Sequence, residues 1–278
     1  MPELPEVETV KETLKHLILG KTIQDLSIHW PKIIKEPDDS EKFKTLLRGE
    51  TFRDIKRRGK FIRFILDHYV LVSHLRMEGK YSLEAPEVAP DKHTHVIFHF
   101  TDGTQLFYKD VRKFGTMHLF LKGDEWKRPP LVGLGPEPLD EDFTEERLRE
   151  AFAKTERIVK AVLLDQTVVV GLGNIYVDEA LFRAGIHPTT KAKHLSEEAI
   201  KRLAKSIRET LAEAVEMGGS SVRTYLNGQG RMGMFQQKLF VYGRTGEPCK
   251  QCGTPIEKIK AAGRGTHFCP VCQVRENA

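Results

Sequence analysis

The sequence predicts an α+β chain of several domains: an antiparallel β-sandwich preceded by one helix, then a helical region, then a small cysteine-bound module. Three observations carry this. Between Lys21 and Leu121, short β-branched and aromatic runs are separated by turn-length gaps. From Thr144 to Met217 the apolar spacing changes to that of helices. All four cysteines, Cys249, Cys252, Cys269 and Cys272, lie at the C-terminal end as two Cys-x2-Cys pairs.

The elements follow in order. Val7, Val10, Leu14, Leu17 and Ile18 repeat at helical spacing and Gly20 supplies a stop. Pro5 suits a first turn, and Glu6 and Glu8 suit the positive end of the helix dipole. Strands are expected at 22–28, 51–56, 61–66, 70–75, 94–100, 104–109 and 116–121, with Asp102-Gly103 as a hairpin signal. Strands this short and close-set favour an antiparallel sandwich over alternating α/β units. Pro129, Pro130, Pro136 and Pro138 stiffen a linker. Helices are expected at 144–154, 158–166, 176–184 and 196–217, the last with Ser196 as N-cap and Gly218-Gly219 as its stop. The glycine-rich stretch 218–233 reads as a mobile loop. The domains expected are 1–122, a linker at 123–141, 142–235 and 236–278.

Bulk properties exclude more than they assign. The 278 residues are 40% apolar and 30% charged, as in an ordinary globular protein, and the net charge is +5. That charge suits a polyanionic partner without demanding one. No basic stretch followed by an apolar run marks a secretory signal, and no apolar run is long enough to span a bilayer. The expected setting is therefore a reducing cytoplasm, with no membrane partner.

There, Cys249-x2-Cys252, sixteen residues, and Cys269-x2-Cys272 read as a two-knuckle metal site. Four thiolates close a tetrahedron and leave no position for water, so a single structural Zn2+ is expected. Two disulfides are the alternative. Between the pairs, a hairpin is expected to present Arg264 at its tip, flanked by Gly263 and Gly265. A solvated arginine is one reading of it, a phosphate grip the other.

The string Met1-Pro2-Glu3-Leu4-Pro5-Glu6-Val7-Glu8 opens the chain. Together with Arg58-Gly59-Lys60, the stretches 74–79, 110–115, 134–138 and 171–176, and the cysteine module, it resembles the formamidopyrimidine-DNA glycosylase family over essentially the whole chain. The resemblance implies a helix–two-turns–helix domain, a zinc ribbon, and a bifunctional glycosylase and lyase. Such an enzyme extrudes and excises oxidised purines from double-stranded DNA and then cuts the strand; a monomer is expected.

The residue chemistry agrees. Removal of Met1 leaves Pro2 a free secondary amine, whose pKa near ~8 keeps part of it neutral and nucleophilic. A secondary amine condensing with a sugar's anomeric carbon gives an iminium that cannot lose its charge by shedding an N–H. That electron sink promotes elimination. By resemblance, Pro2 is the nucleophile, Glu3 the proton donor, and Lys60 and Arg264 the acids for β- and δ-elimination. The resemblance further implies that Met77, Arg112 and Phe114 fill the vacated stack and that His74, His93, Asn174 and Lys258 contact the DNA backbone. By the same resemblance Glu78, Ser220, Val222, Arg223, Thr224 and Tyr225 are expected to face the extruded base. The Gly171-Leu172-Gly173-Asn174 turn is expected to hold a phosphate at a helix start.

Taken singly, Lys60 also reads as a solvated strand lysine, and Met77 and Phe114 as core. Two other functions compete. A relative acting on oxidised pyrimidines shares Pro2 and Glu3 but departs from Leu4-Pro5-Glu6-Val7-Glu8. A non-catalytic zinc-ribbon DNA-binding protein explains the charge and the metal, but not Pro2 followed by Glu3.

Overall fold

The structure is a computed structural model that describes residues 1–220 and 233–275. The described chain divides into two compact units. One holds Met1–Pro2 and Glu6–Gly133; the other holds Glu3–Pro5, Leu134–Ser220 and 234–275.

In the first unit, helix α1 (Leu4–Ile18) has an acid, Glu6, in its first turn and Lys15 and His16 in its last. Both suit the helix dipole. Its stripe Val7, Val10, Leu14 and Ile18 is buried in one apolar cluster with Leu26, Phe98, Ile62, Phe64 and Leu71. Gly20, at φ 82°, stops it in the left-handed region that favours glycine.

Nine strands then form two sheets. They are β1 (Ile23–Ile28), β2 (Ile34–Glu36), β3 (Asp54–Arg58), β4 (Phe61–Ile65), β5 (Tyr69–His74), β6 (Lys80–Glu84), β7 (Thr94–Phe100), β8 (Gln105–Lys109) and β9 (Thr116–Leu121). The orders are β1-β7-β8-β6 and β2-β9-β5-β4-β3. Every pairing is antiparallel except β2 with β9. The Phe52 ring packs edge-on against Phe64, Phe98 and Phe100 at 5.5–6.2 Å in the core.

Two connections pass from one sheet to the other at the same end. Residues 75–79 join β5 to β6, and 110–115 join β8 to β9. Because His74 pairs with Thr116 and Lys80 with Lys109, these loops run side by side. Strands β2 and β6 and the short helix α2 (Ser40–Leu47) are additions to the elements expected from sequence.

In the second unit, α3 (Glu145–Ala153), α4 (Val159–Leu164), α5 (Asn174–Ala184) and α6 (Glu197–Glu216) follow the expected order, within a few residues of the expected ends. Ser196 caps α6 by accepting a hydrogen bond from Ala199 N, and Ile200, Leu203, Ile207, Leu211 and Ala214 are buried along it. The C-terminal hairpin pairs β10 (Glu257–Ala261) with β11 (Arg264–Phe268). Its turn is Ala262-Gly263, both at positive φ, 52° and 70°. Arg264 is thus the first residue of β11, opposite Ala261, and not the tip of the hairpin. The expectation placed it one position too far into the turn. No helix among the described residues is long and apolar enough to cross a membrane.

Candidate functional site

In the first unit the N-terminal residue of interest is part of the fold: Pro2 is buried. Lys60, at the β3–β4 turn, is 6% exposed, so the solvated-lysine reading does not hold. Gly59 makes that turn at φ 56°. Arg57 is committed elsewhere, with Nε 2.6 Å from Glu8 Oε2. Against the upward push of burial, hydrogen bonds from Lys11 and Arg57 hold the Glu8 carboxyl below its usual range.

His74 is buried, and its Nδ1 accepts the Arg76 N–H at 3.0 Å, which leaves the ring proton on Nε2. Burial first, then the charges of Arg76 and Lys60, press its pKa down to about 3. It is neutral near pH 7. It can offer a ligand a neutral N–H donor, not a cation. His93 is half-buried, and its carbonyl accepts the Asp110 N–H at 3.0 Å.

The two side-by-side loops carry the remaining residues of this unit. Phe114 is 56% exposed, so its reading as core fails; Met77 is half-buried and Arg112 exposed. Glu78 on one loop lies 3.7 Å from Arg112 Nε on the other. The turn at 110–115 is framed by the buried Asp110 carboxylate, which accepts N–H groups from Arg112, Lys113 and Gly115 at 3.1, 3.1 and 2.8 Å. Lys113, at φ 59°, lays its ammonium over Trp30 at 4.0 Å.

In the second unit Glu3 is 2% exposed. Its carboxylate accepts the backbone N–H groups of Gly173, Ile175 and Tyr176 at 2.9, 2.8 and 3.1 Å. These are the orphan donors at the start of α5. A side chain at Gly173 would put its Cβ 2.6 Å from Glu3 Cδ, so only glycine permits the approach. Glu3 therefore takes three of the amides at this helix start, where the Gly171–Asn174 turn was expected to hold a phosphate. The preceding peptide is fixed too, by Leu4 N–H donating to Gly171 O at 3.0 Å.

Asn174 Nδ2 donates to Gly265 O at 3.0 Å, and Lys160 Nζ approaches the same carbonyl at 3.3 Å. Lys160 is fully buried, 2.7 Å from both Asp178 Oδ1 and Thr266 Oγ1, while Asp178 Oδ2 accepts His267 N–H at 2.9 Å. Burial pushes the Lys160 amine below its usual range, although the Asp178 charge opposes that push. Gly265, Thr266 and His267 are thus tied to α4 and α5, and the exposed Arg264 is presented from a fixed strand start. Sequence reasoning missed Lys160 and Asp178. The one local signal is a lysine on the helix face that also buries Val159, Val162 and Leu163.

Glu179, also missed, accepts the N–H groups of Phe240, Val241 and Tyr242 at 2.8–3.0 Å and anchors the segment leading to the hairpin. Lys258 is exposed and lies alongside Gly265. Ser220 is buried, with its hydroxyl 3.1 Å from that of Tyr176. Val222, Arg223, Thr224 and Tyr225 lie outside the described residues.

The four cysteine sulfurs lie within 4.8 Å of one another. Cys249 and Cys272 are 3.9 Å apart, and Cys252 and Cys269 3.5 Å. A zinc tetrahedron with Zn–S near 2.3 Å has edges of about 3.8 Å, so the set fits the metal; a disulfide needs about 2.05 Å. Gln251 N–H points at Cys249 Sγ and Cys272 N–H at Cys269 Sγ, each at 3.4 Å, as knuckles that bind a metal do. This is a structural zinc site, closed by four thiolates.

Comparison with known proteins gives one consistent result. Family models match for the formamidopyrimidine-DNA glycosylase N-terminal domain over residues 1–117 and for its H2TH domain over 134–226. A third, the zinc finger found in FPG and IleRS, matches 246–274. The formamidopyrimidine-DNA glycosylase of Shouchella clausii (strain KSM-K16) is 62% identical over 275 residues, covering 99% of this chain and 100% of that one. The Bacillus subtilis (strain 168) protein of the same name is 62% identical over 276 residues, with the same coverage. Among solved structures, wild-type Lactococcus lactis Fpg (MutM) in complex with N7-benzyl-Fapy-dG-containing DNA superposes with a TM-score of 0.92 at 46% identity. That match covers 99% of this chain and 100% of the other. An L. lactis Fpg complex with abasic-site DNA also scores 0.92, at 47% identity, over 98% and 100%.

Proposed function

The chain belongs to the formamidopyrimidine-DNA glycosylase family, and on that premise we propose that it is a bifunctional glycosylase and abasic-site lyase acting on oxidised purines in duplex DNA. The observation that carries this reading is the N-terminus. Chain ends are usually loose; here Pro2 is buried and Glu3 is clasped by three helix-start amides. An amine meant for chemistry has to be held in place. The L. lactis complexes, with Fapy-dG and abasic-site DNA, support the substrate class.

With Met1 removed, Pro2 N attacks C1′ of the damaged nucleoside, the N-glycosidic bond breaks, and the base departs with the proton that the amine gives up. Glu3 gives a proton to the sugar ring oxygen as the ring opens. To do so it has to carry that proton in place of one amide contact. The iminium on Pro2 then acidifies C2′. Lys60 serves the β-elimination and Arg264 the δ-elimination, the latter from the strand start that Lys160, Asp178 and Asn174 hold through the next three residues. The zinc site keeps that hairpin folded. On a duplex with one 8-oxoguanine, the expected product is a one-nucleotide gap with phosphate on both ends, without added alkali. An intact strand with an alkali-labile abasic site would reject the lyase half.

Met77, Arg112 and Phe114 fill the stack left by the extruded base. Unstacking costs a few kcal/mol, so Arg112→Ala is expected to slow single-turnover excision from paired duplex roughly a hundredfold. Melting temperature should barely move, because the side chain is exposed. Removing a pure phosphate contact, as in Lys258→Ala, should instead weaken binding to damaged and undamaged duplex alike and flatten the salt dependence by about one unit. Excision by Arg112→Ala at the wild-type rate would remove this assignment.

A further inference from the structure

Both loops that carry the void-filling residues close on the same atom. Gly79 ends one and Gly115 ends the other. A Cβ at Gly79 would lie 2.4 Å from the Tyr108 hydroxyl, and a Cβ at Gly115 only 1.7 Å from it. Both positions therefore admit only glycine while the phenol stands where it does. The ring is fully buried, 5.0 Å from that of Tyr81, and its hydroxyl donates to Asp110 Oδ2 at 3.1 Å. That same oxygen accepts Gly115 N–H, while Oδ1 takes Arg112 and Lys113 N–H. The Asp110 carbonyl is 2.6 Å from His95 Nε2, also buried. The Gly79 turn is closed by its own N–H donating to Leu75 O at 2.9 Å.

Tyr108 thus sets the closing residue of both loops. Through these contacts a shift of the Arg112–Phe114 turn would carry to Asp110, from Asp110 to the phenol, and from the phenol to the turn behind Met77. We propose that Tyr108 is a positioning residue that couples the two loops, so that they enter the vacated stack as one preset unit. This rests on the void-filling assignment made above for Met77, Arg112 and Phe114. The device is one of pre-organisation: the wedge is held by buried groups on the far side of the loops and has no need to be ordered when DNA arrives.

The test is a double-mutant cycle of Tyr108→Phe and Arg112→Ala, read by single-turnover excision of 8-oxoguanine from paired duplex. Melting temperature and strand cleavage at a preformed abasic site in single-stranded DNA are measured on the same proteins, since that substrate offers nothing to extrude. Tyr108→Phe, which removes one hydroxyl, should slow duplex excision roughly tenfold. It should leave single-strand cleavage at the wild-type rate. The double variant should be no slower than Arg112→Ala by more than about twofold, because both act through the same loops. Multiplying effects, or parallel losses on both substrates, would overturn the coupling, as would a Tyr108→Phe rate equal to wild type. If Arg112→Ala is itself at the wild-type rate, the wedge reading falls and the coupling with it; a slow Arg112→Ala beside an unaffected Tyr108→Phe sinks the coupling alone. Should Tyr108→Phe not fold, Asp110→Asn, which keeps the ring, is expected to give the same pattern, and the same outcomes decide.

Discussion

Glu3→Gln is expected to lower excision of an oxidised purine by at least a hundredfold, within the roughly 10²–10⁴ range of general acid–base catalysis. It should leave cleavage at a preformed abasic site much less affected. The asymmetry follows from the chemistry. An intact nucleoside needs a proton on its ring oxygen for the ring to open once the amine holds C1′, whereas an abasic sugar already exchanges with its open aldehyde. Glutamine keeps the length and one acceptor oxygen but has no proton of suitable acidity to give. It also turns its amide towards one of the N–H groups of Gly173, Ile175 and Tyr176 that now point at oxygen. A donor facing a donor costs about 1–3 kcal/mol, so a modest fall in melting temperature should accompany the kinetic loss. Equal losses on both substrates would mean that Glu3 serves only to hold the N-terminus against α5.

Cys269→Ser should have the largest effect on the fold of the second unit. Cys269 is fully buried in an apolar cluster with Phe182, Val241, Cys249 and Ile256, so its sulfur is both ligand and core. Structural zinc supplies about 10–16 kcal/mol to small metal modules, and three thiolates with a buried hydroxyl hold it far less well. Loss of the metal frees β11, and with it the acceptors of Lys160 at Gly265 and Thr266 and the His267 donor to Asp178. A buried ion pair stripped of its remaining hydrogen bonds is a liability. Bound zinc should fall from one per chain towards none, duplex affinity should drop, and δ-elimination should fail, while the β-sandwich retains its own cooperative transition. A zinc-free variant with wild-type affinity and strand cleavage would contradict the role given to the hairpin.

Much of this molecule is legible in the chain, and the parts that are not share a physical reason. The β-sandwich, the four main helices and the metal site each announce themselves by local pattern: short β-branched and aromatic runs, Ser196 before an apolar stripe, two Cys-x2-Cys pairs. Helix α2 was missed because only Phe43 and Leu47 of its eight residues are buried, although Asp39 caps it with bonds from Glu41 and Lys42 N–H. Strand β6 was missed because Tyr81 alone is buried on it.

The larger omissions are long-range. Lys160 finds Thr266 more than a hundred positions away, and nothing around either residue marks the other. Glu3 likewise takes the amides that the Gly171–Asn174 turn offered to a phosphate. A helix start advertises an anion site without saying which anion fills it. Arg264 was displaced by one residue because its flanking glycines masked the turn at Ala262-Gly263.

The central claim is that the amine of Pro2 forms the covalent bond. The most direct measurement is borohydride reduction of the protein during turnover of a duplex with a single 8-oxoguanine, followed by digestion and mass mapping of the linked peptide. The expected result is one protein–DNA adduct on the N-terminal proline, absent when Met1 is retained or the amine is acetylated. An adduct that persists in the acetylated protein and maps to a lysine, Lys60 included, would contradict it.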